Sequence, residues 1–197
     1  MVEKIQIAHI PDDLPIYVAC YKDVQNASFL KQQLLAGNQV YNYAFVDATT
    51  ILSRQHLLAA AFRALNDHIH DRLKSNNVHS EIVVCLSSNN NIGDAFRRFG
   101  IQDSTKDLVI VKVGLSPEFA SESVEGHLKD AIEGTPVPFD DAFLRQTCDL
   151  DKLRKTYKLG KPQQGKTVMN GNGGHATDER SDIEVQVLGL MALRGAT

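Results

Sequence analysis

Three short apolar runs do most to limit what this 197-residue chain can fold into: "IYVACY" after Pro15, "SEIVVCLS" from Ser80 and "DLVIVKVG" from Asp107. Each is of strand length and nearly continuous in apolar residues, so each reads as a buried strand, and none approaches the roughly eighteen residues of a membrane-crossing helix. "KIQIAHI" instead alternates at period two and predicts a half-buried strand from Lys4 to Ile10, closed by Pro11. "YAFVDA", Tyr43 to Ala48, predicts one strand more.

Helical patterns fill the gaps. "DVQNASFLKQQLLAG" sets Val24, Ala27, Phe29, Leu30, Leu34 and Leu35 mostly at helical spacing and stops at Gly37. A longer helix follows Ser53 as its cap, with Leu58, Ala61, Phe62, Leu65, Ile69 and Leu73 as its apolar stripe. "SPEFASESVEGHLKDAIEG" reads as helix after Pro117, and "DDAFLRQTCDLDKLRKTYKL" as one helix or two short ones. From Gly160 to Asp182 the chain turns polar and rich in Gly, Asn and Gln, which predicts a flexible insertion at 160–182. "IEVQVLGLMALRGAT" opens with strand-like alternation, but its adjacent apolar positions fit a C-terminal helix buried on more than one side. The length supports a single domain, 1–197. Its expected class is α+β, a mixed and largely antiparallel sheet with helices packed on it as a two-layer sandwich.

Function classes narrow by exclusion. With 21 basic against 24 acidic residues the formal charge is -3, so a nucleic-acid contact would need a local patch. Cys20, Cys85 and Cys148 are far apart, without the close Cys pairs of a zinc site, and read as reduced core thiols. The N-terminus lacks the long apolar core of a signal peptide, so the expected setting is nuclear or cytoplasmic. His68 and His70 stand two apart on a helix and point about 200° apart, which suits solvation better than metal binding. Neither a metal nor a cofactor is expected, nor are catalytic residues. Asp12 with Asp13, and Asp140 with Asp141, read as turn and helix caps.

"GKPQQGKT", Gly160 to Thr167, satisfies the phosphate-loop pattern and keeps open an alternative, a small nucleotide-binding enzyme using 160–167. That chemistry needs a buried strand before the loop and a helix after it; here the preceding residues are helix-like and basic, and the following ones are polar. For RNA, the candidates are Arg97 and Arg98 with Lys152, Lys155 and Lys158 of "DKLRKTYKLGK", where a solvated helix face is the competing reading.

"NNNIGDAFRRFGI" is the most specific stretch. Asn91 can cap a short helix with Asp94 in its first turn and Ile92, Ala95, Phe96 and Phe99 on one face, ended by Gly100 before Ile101. The expectation is a buried strand on either side of it, with both arginines outward. Gly93, in the first turn, has no need of its helix penalty unless something approaches closely.

These residues, with Asn89, Asn90, Asn91, Ile92, Phe96, Phe99, Gly100 and Ile101 as the motif, resemble the kinase-binding subunit of the KEOPS (EKC) complex, a TPRKB-like family. "YKDVQNASFLKQQLLAG", "VDATTILSRQHLLAAAFRAL", "VEGH" and "LDKLRKTYKL" are similar to that family too, so the likeness spans nearly the whole ordered chain. The polar 160–182 stretch departs from it. The resemblance implies a nonenzymatic subunit that docks on the N-terminal lobe of the complex's small atypical kinase/ATPase and meets the other subunits through it. It implies a part in making threonylcarbamoyl-adenosine in tRNA, with tRNA itself a possible partner, since archaeal relatives help hold the acceptor tail. The resemblance also brings the telomere role proposed for the family. The surplus apolar surface of the last helix, Val187, Leu188, Leu190, Met191 and Leu193, is the expected kinase contact.

Overall fold

The computed structural model describes residues 1–115, 121–160 and 179–194. Along the chain run β1 (Val2–Ile5), β2 (Ile16–Lys22), α1 (Ala27–Leu35), β3 (Ala44–Asp47), α2 (Arg54–Ile69), α3 (Val78–Cys85) and α4 (Ile92–Phe99). Then come β4 (Leu108–Val113), α5 (Ser121–Ala131), β5 (Thr135–Val137), α6 (Asp141–Thr147), α7 (Leu150–Tyr157) and α8 (Glu179–Ala192). Every strand pairing is antiparallel, in the order β1-β2-β4-β3. β1 pairs with Ile16–Ala19 of β2 and β5 with Cys20–Lys22, so the two lie end to end along one edge of that strand.

Period-two alternation sends the two sides of the central strands into different cores. Ile16, Val18, Cys20, Val109, Val111 and Val113 join the larger core with residues of α2, α3, α6, α7 and α8. Tyr17, Ala19, Tyr21, Leu108 and Ile110 face α1 and α5. Both faces are therefore covered, which is why β2 and β4 read as continuous apolar runs. The α+β class with an antiparallel sheet stands; a second helical layer, α1 and α5, makes it three layers where two were expected.

Three sequence readings change. The first strand is Val2–Ile5, not Lys4–Ile10, because its partner on β2 begins at Ile16. Beyond it the alternation runs on through a turn in which Gln6 Nε2 donates to the carbonyls of Ile10 and Pro11. "SEIVVCLS" is helix: Asn77 accepts from Ser80 N–H as a cap, and α3 is buried almost all round, so no apolar stripe distinguishes it from a strand. In α2, capped by Ser53 as expected, the buried face is Leu57, Ala60, Ala61, Ala64 and Leu65, while Phe62 and Ile69 are exposed. The alanines let α3 approach closely, which rotates the helix away from the larger-residue stripe.

Candidate partner-binding surfaces

The asparagine motif is wired largely inward. Asn91 Oδ1 accepts from Asp94 N–H at 2.9 Å and caps α4, while Asn89 Oδ1 accepts from Asn91 N–H at 2.9 Å. Asp94 binds both arginines: Arg97, and Arg98 through Nε at 2.7 Å. The Arg98 guanidinium beside it, more than any other group, holds its carboxyl below the usual range. Arg98 also donates to the Thr156 carbonyl at 3.2 Å, so it ties α4 to α7 and only Arg97 projects outward. The element before this loop is the helix α3, not a strand. A Cβ on Gly100 would lie 2.7 Å from the Phe96 carbonyl oxygen, so the close approach requires glycine; at Gly93 only Asn91 Oδ1, at 3.6 Å, comes near.

After Gly100 the chain closes part of the free edge of β3: Gly100 bridges Val46, and Ile101 N–H donates to Phe45 at 3.1 Å. Beside this edge lies a cleft of about 490 Å³. Phe45, Phe96 and Ile101 give it apolar walls, α1 and the loop before α3 close its sides, and Lys31, Lys74 and Arg97 give it cations. His79 lines it from α3. Its Nε2 accepts from Val113 N–H at 3.0 Å, which places the ring proton on Nδ1, a buried atom without a partner. Burial pushes the His79 imidazole down to about 3, so it is neutral at physiological pH.

On the other core, α8 carries apolar residues on two opposite sides. Ile183, Val187 and Met191 enter the larger core, and Leu190 packs against it. The opposite face presents Val185, Gly189 and Ala192, flanked by Leu188 and Leu193; Val185 is 69% and Leu193 61% exposed. Both ends are pinned: Arg180 donates to the carbonyls of Leu52 and Leu144, and Arg63 to those of Met191 and Arg194 at 2.6 and 2.7 Å.

The family model for the kinase-binding protein CGI-121 matches residues 21–195. The chain belongs to that family. It is similar to the EKC/KEOPS complex subunits cgi121 of Aspergillus terreus, 53% identical, and Aspergillus fumigatus, 50% identical; each match covers 100% of this chain and 98% of the relative. The CGI121 subunit of Coccidioides immitis is 47% identical, over 100% of this chain and 99% of its own.

Within this CGI-121 fold the expected contact residues divide. Val187 and Met191 are core residues and unavailable to a partner, Leu188 and Leu190 are half-buried, and Leu193 is exposed. Val185, the most exposed apolar residue of α8, was missed because the alternation of "IEVQV" hid the helical phase. Of the basic candidates, Lys152 is bound to Asp47 and Thr49, each at 2.8 Å, and Arg98 to Asp94; Lys155 on α7 and Lys158, which caps its C-terminus, are exposed and do not line the cleft. Arg97 alone of the five lines the cleft, where Lys31 and Lys74, absent from the sequence reading, join it.

The structure also brings Asp67, Glu81 and Cys85 together, their ligand atoms within 4.8 Å of one another. Glu81 Oε2 already accepts from Lys74 N–H, Ser75 N–H and the Ser75 hydroxyl, and burial pushes the Cys85 thiol up to about 12, so Glu81 is engaged in organising the loop before α3. Positions 161–167 of the phosphate-loop match lie outside the described residues; the element before Gly160 is α7, a helix. The expected insertion likewise falls on positions outside them as far as 178, and its last residues, from Glu179, belong to α8.

Proposed function

We propose that this chain is a nonenzymatic subunit of an EKC/KEOPS complex that docks on the small atypical kinase/ATPase through the exposed face of α8 and supports its activity. The observation that carries this reading is a helix with one face buried through Ile183, Val187 and Met191 and further apolar side chains exposed on and just past its other side, at Val185 and Leu193. Fully burying one such side chain contributes roughly 1.5–3 kcal/mol gross, so two suffice to change affinity. The complex so formed acts in threonylcarbamoyl-adenosine modification of tRNA, in the nucleus and cytoplasm. The cleft beside β3 takes the single-stranded end of the tRNA: its walls suit bases and its three cations suit phosphates.

Size-exclusion chromatography of the chain mixed with the kinase, with ATPase activity assayed across the fractions, tests the docking. Co-elution with raised ATPase activity is expected, and Val185→Glu with Leu193→Glu abolishes it while Lys155→Ala does not. Separate elution of the unmodified pair, with ATPase activity in this chain's own fraction, overturns the reading and returns attention to 160–167.

A further inference from the structure

Of the three neighbouring asparagines, two serve their own loop and one leaves it. Asn90 Oδ1 accepts from Lys74 Nζ at 2.9 Å and from Arg194 Nε at 3.3 Å. Both neighbours are cations, so the amide oxygen, not its NH₂, must face them. Lys74 lines the cleft, and Arg194 stands just beyond the end of α8. One oxygen atom thus joins the two surfaces of the proposed function.

Neither partner of Asn90 is loosely held. Arg194 is only 4% exposed; its Nη1 donates to the Val84 carbonyl at 2.6 Å, and its own carbonyl accepts from Arg63. Its Nη2 is buried without a partner, so the end of α8 holds a polar group that a small rearrangement could satisfy. The main chain at Lys74 is fixed by Glu81, which accepts from Lys74 N–H at 3.0 Å and Ser75 N–H at 2.8 Å. The flexible part of Lys74 is its ammonium end, and Asn90 sets where that end lies. With one N–H given to Asn90, two remain for an anion in the cleft.

We infer that Asn90 is a positioning residue that couples kinase docking on α8 to the RNA affinity of the cleft. Docking at Leu193 rearranges the end of α8, where Arg194 Nη2 lacks a partner, and the contacts of Arg194 and Lys74 with Asn90 carry that rearrangement to the Lys74 ammonium, so a phosphate meets a cation set in place by the docked kinase. The inference rests on the proposed function, and linkage makes it reciprocal: bound RNA strengthens docking by the same factor.

The test is fluorescence anisotropy of a short labelled single-stranded RNA carrying the 3′ sequence of tRNA, titrated with the full chain with and without saturating kinase subunit. For the unmodified chain the kinase tightens RNA binding by about 5-fold or more. In Asn90→Ala, which removes an exposed loop side chain, both ligands still bind and most of that gain disappears. Asn90→Asp, which keeps an acceptor for both cations, restores it. Lys74→Ala also removes the gain, and combining it with Asn90→Ala removes nothing further. A gain unchanged in Asn90→Ala, or none in the unmodified chain that binds both ligands, overturns the coupling. Failure of the unmodified chain to bind the RNA or the kinase overturns the proposed function and the coupling with it.

Discussion

Lowering the pH should unfold this protein earlier than its carboxylates alone require, because two buried imidazoles cannot take a proton. His56 Nδ1 accepts from Leu52 N–H at 3.2 Å, and its Nε2–H faces the Tyr157 hydroxyl at 2.9 Å, which itself donates to the Leu86 carbonyl. A proton on Nδ1 would confront an N–H with an N–H. His79 Nε2 is blocked in the same way by Val113 N–H. Burial lowers both imidazoles from 6.5 to about 3. A group whose folded pKa lies below its unfolded one binds protons preferentially in the unfolded chain, so stability falls as pH drops from about 6.5 toward 3.

Between pH 7 and 4.5 each histidine removes about 2–3 kcal/mol, and the two together about 5 kcal/mol, a large share of the roughly 5–15 kcal/mol of a typical domain. The chain has no tryptophan, so urea unfolding is best followed by far-UV circular dichroism, at pH steps through this window. Stability should fall with a limiting slope of about 2.7 kcal/mol per pH unit from these two groups. His56→Gln and His79→Asn should each lower stability at pH 7 yet remove about half of the slope. A stability independent of pH between 6.5 and 4.5, or an unchanged slope in the double variant, would refute the reasoning.

Other consequences follow from single contacts. Gly100→Ala sets a methyl against the Phe96 carbonyl at the β3 edge and should cost about 1–3 kcal/mol in chemical denaturation. Lys152→Ala leaves Asp47 without its cation and should destabilise by about 1 kcal/mol, whereas Lys155→Ala should be neutral in the same assay. Asn91→Ala removes the α4 cap and should cost about 1 kcal/mol, with increased hydrogen exchange at Asp94 N–H. Burial holds the Cys148 thiol up at about 11 and the Cys85 thiol at about 12, so an alkylating probe at pH 8 should react slowly with the native protein and rapidly once urea unfolds it.

What could be read from sequence follows from how local each signal is. Asn91, Asp94 and Gly100 of α4 interact within a few residues, so their roles were legible, as were Ser53 as a cap and the end of α1 at Gly37. α3 was not: eight residues buried almost all round carry no periodicity, and its helix-forming signal sits outside the apolar run, at Asn77. The cleft was invisible for the opposite reason. Lys31, Phe45, Lys74, His79 and Arg97 come from separate elements, and only the packing of α1, α3 and α4 around the end of the sheet brings them together.

α8 shows where pattern reading stops and packing decides. Its apolar residues lie on both sides, so the sequence supplies a surplus without a phase. The phase comes from its ends: Arg180 is drawn to the carbonyls of Leu52 and Leu144, and Arg194 to that of Val84, and these anchors turn Ile183, Val187 and Met191 inward. Once that face is fixed, helical geometry requires Val185, Gly189 and Ala192 to look outward. The side chains chosen from sequence by hydrophobicity alone therefore include two, Val187 and Met191, whose replacement by Glu would test folding instead of docking. Val185 and Leu193 test docking because the core does not use them.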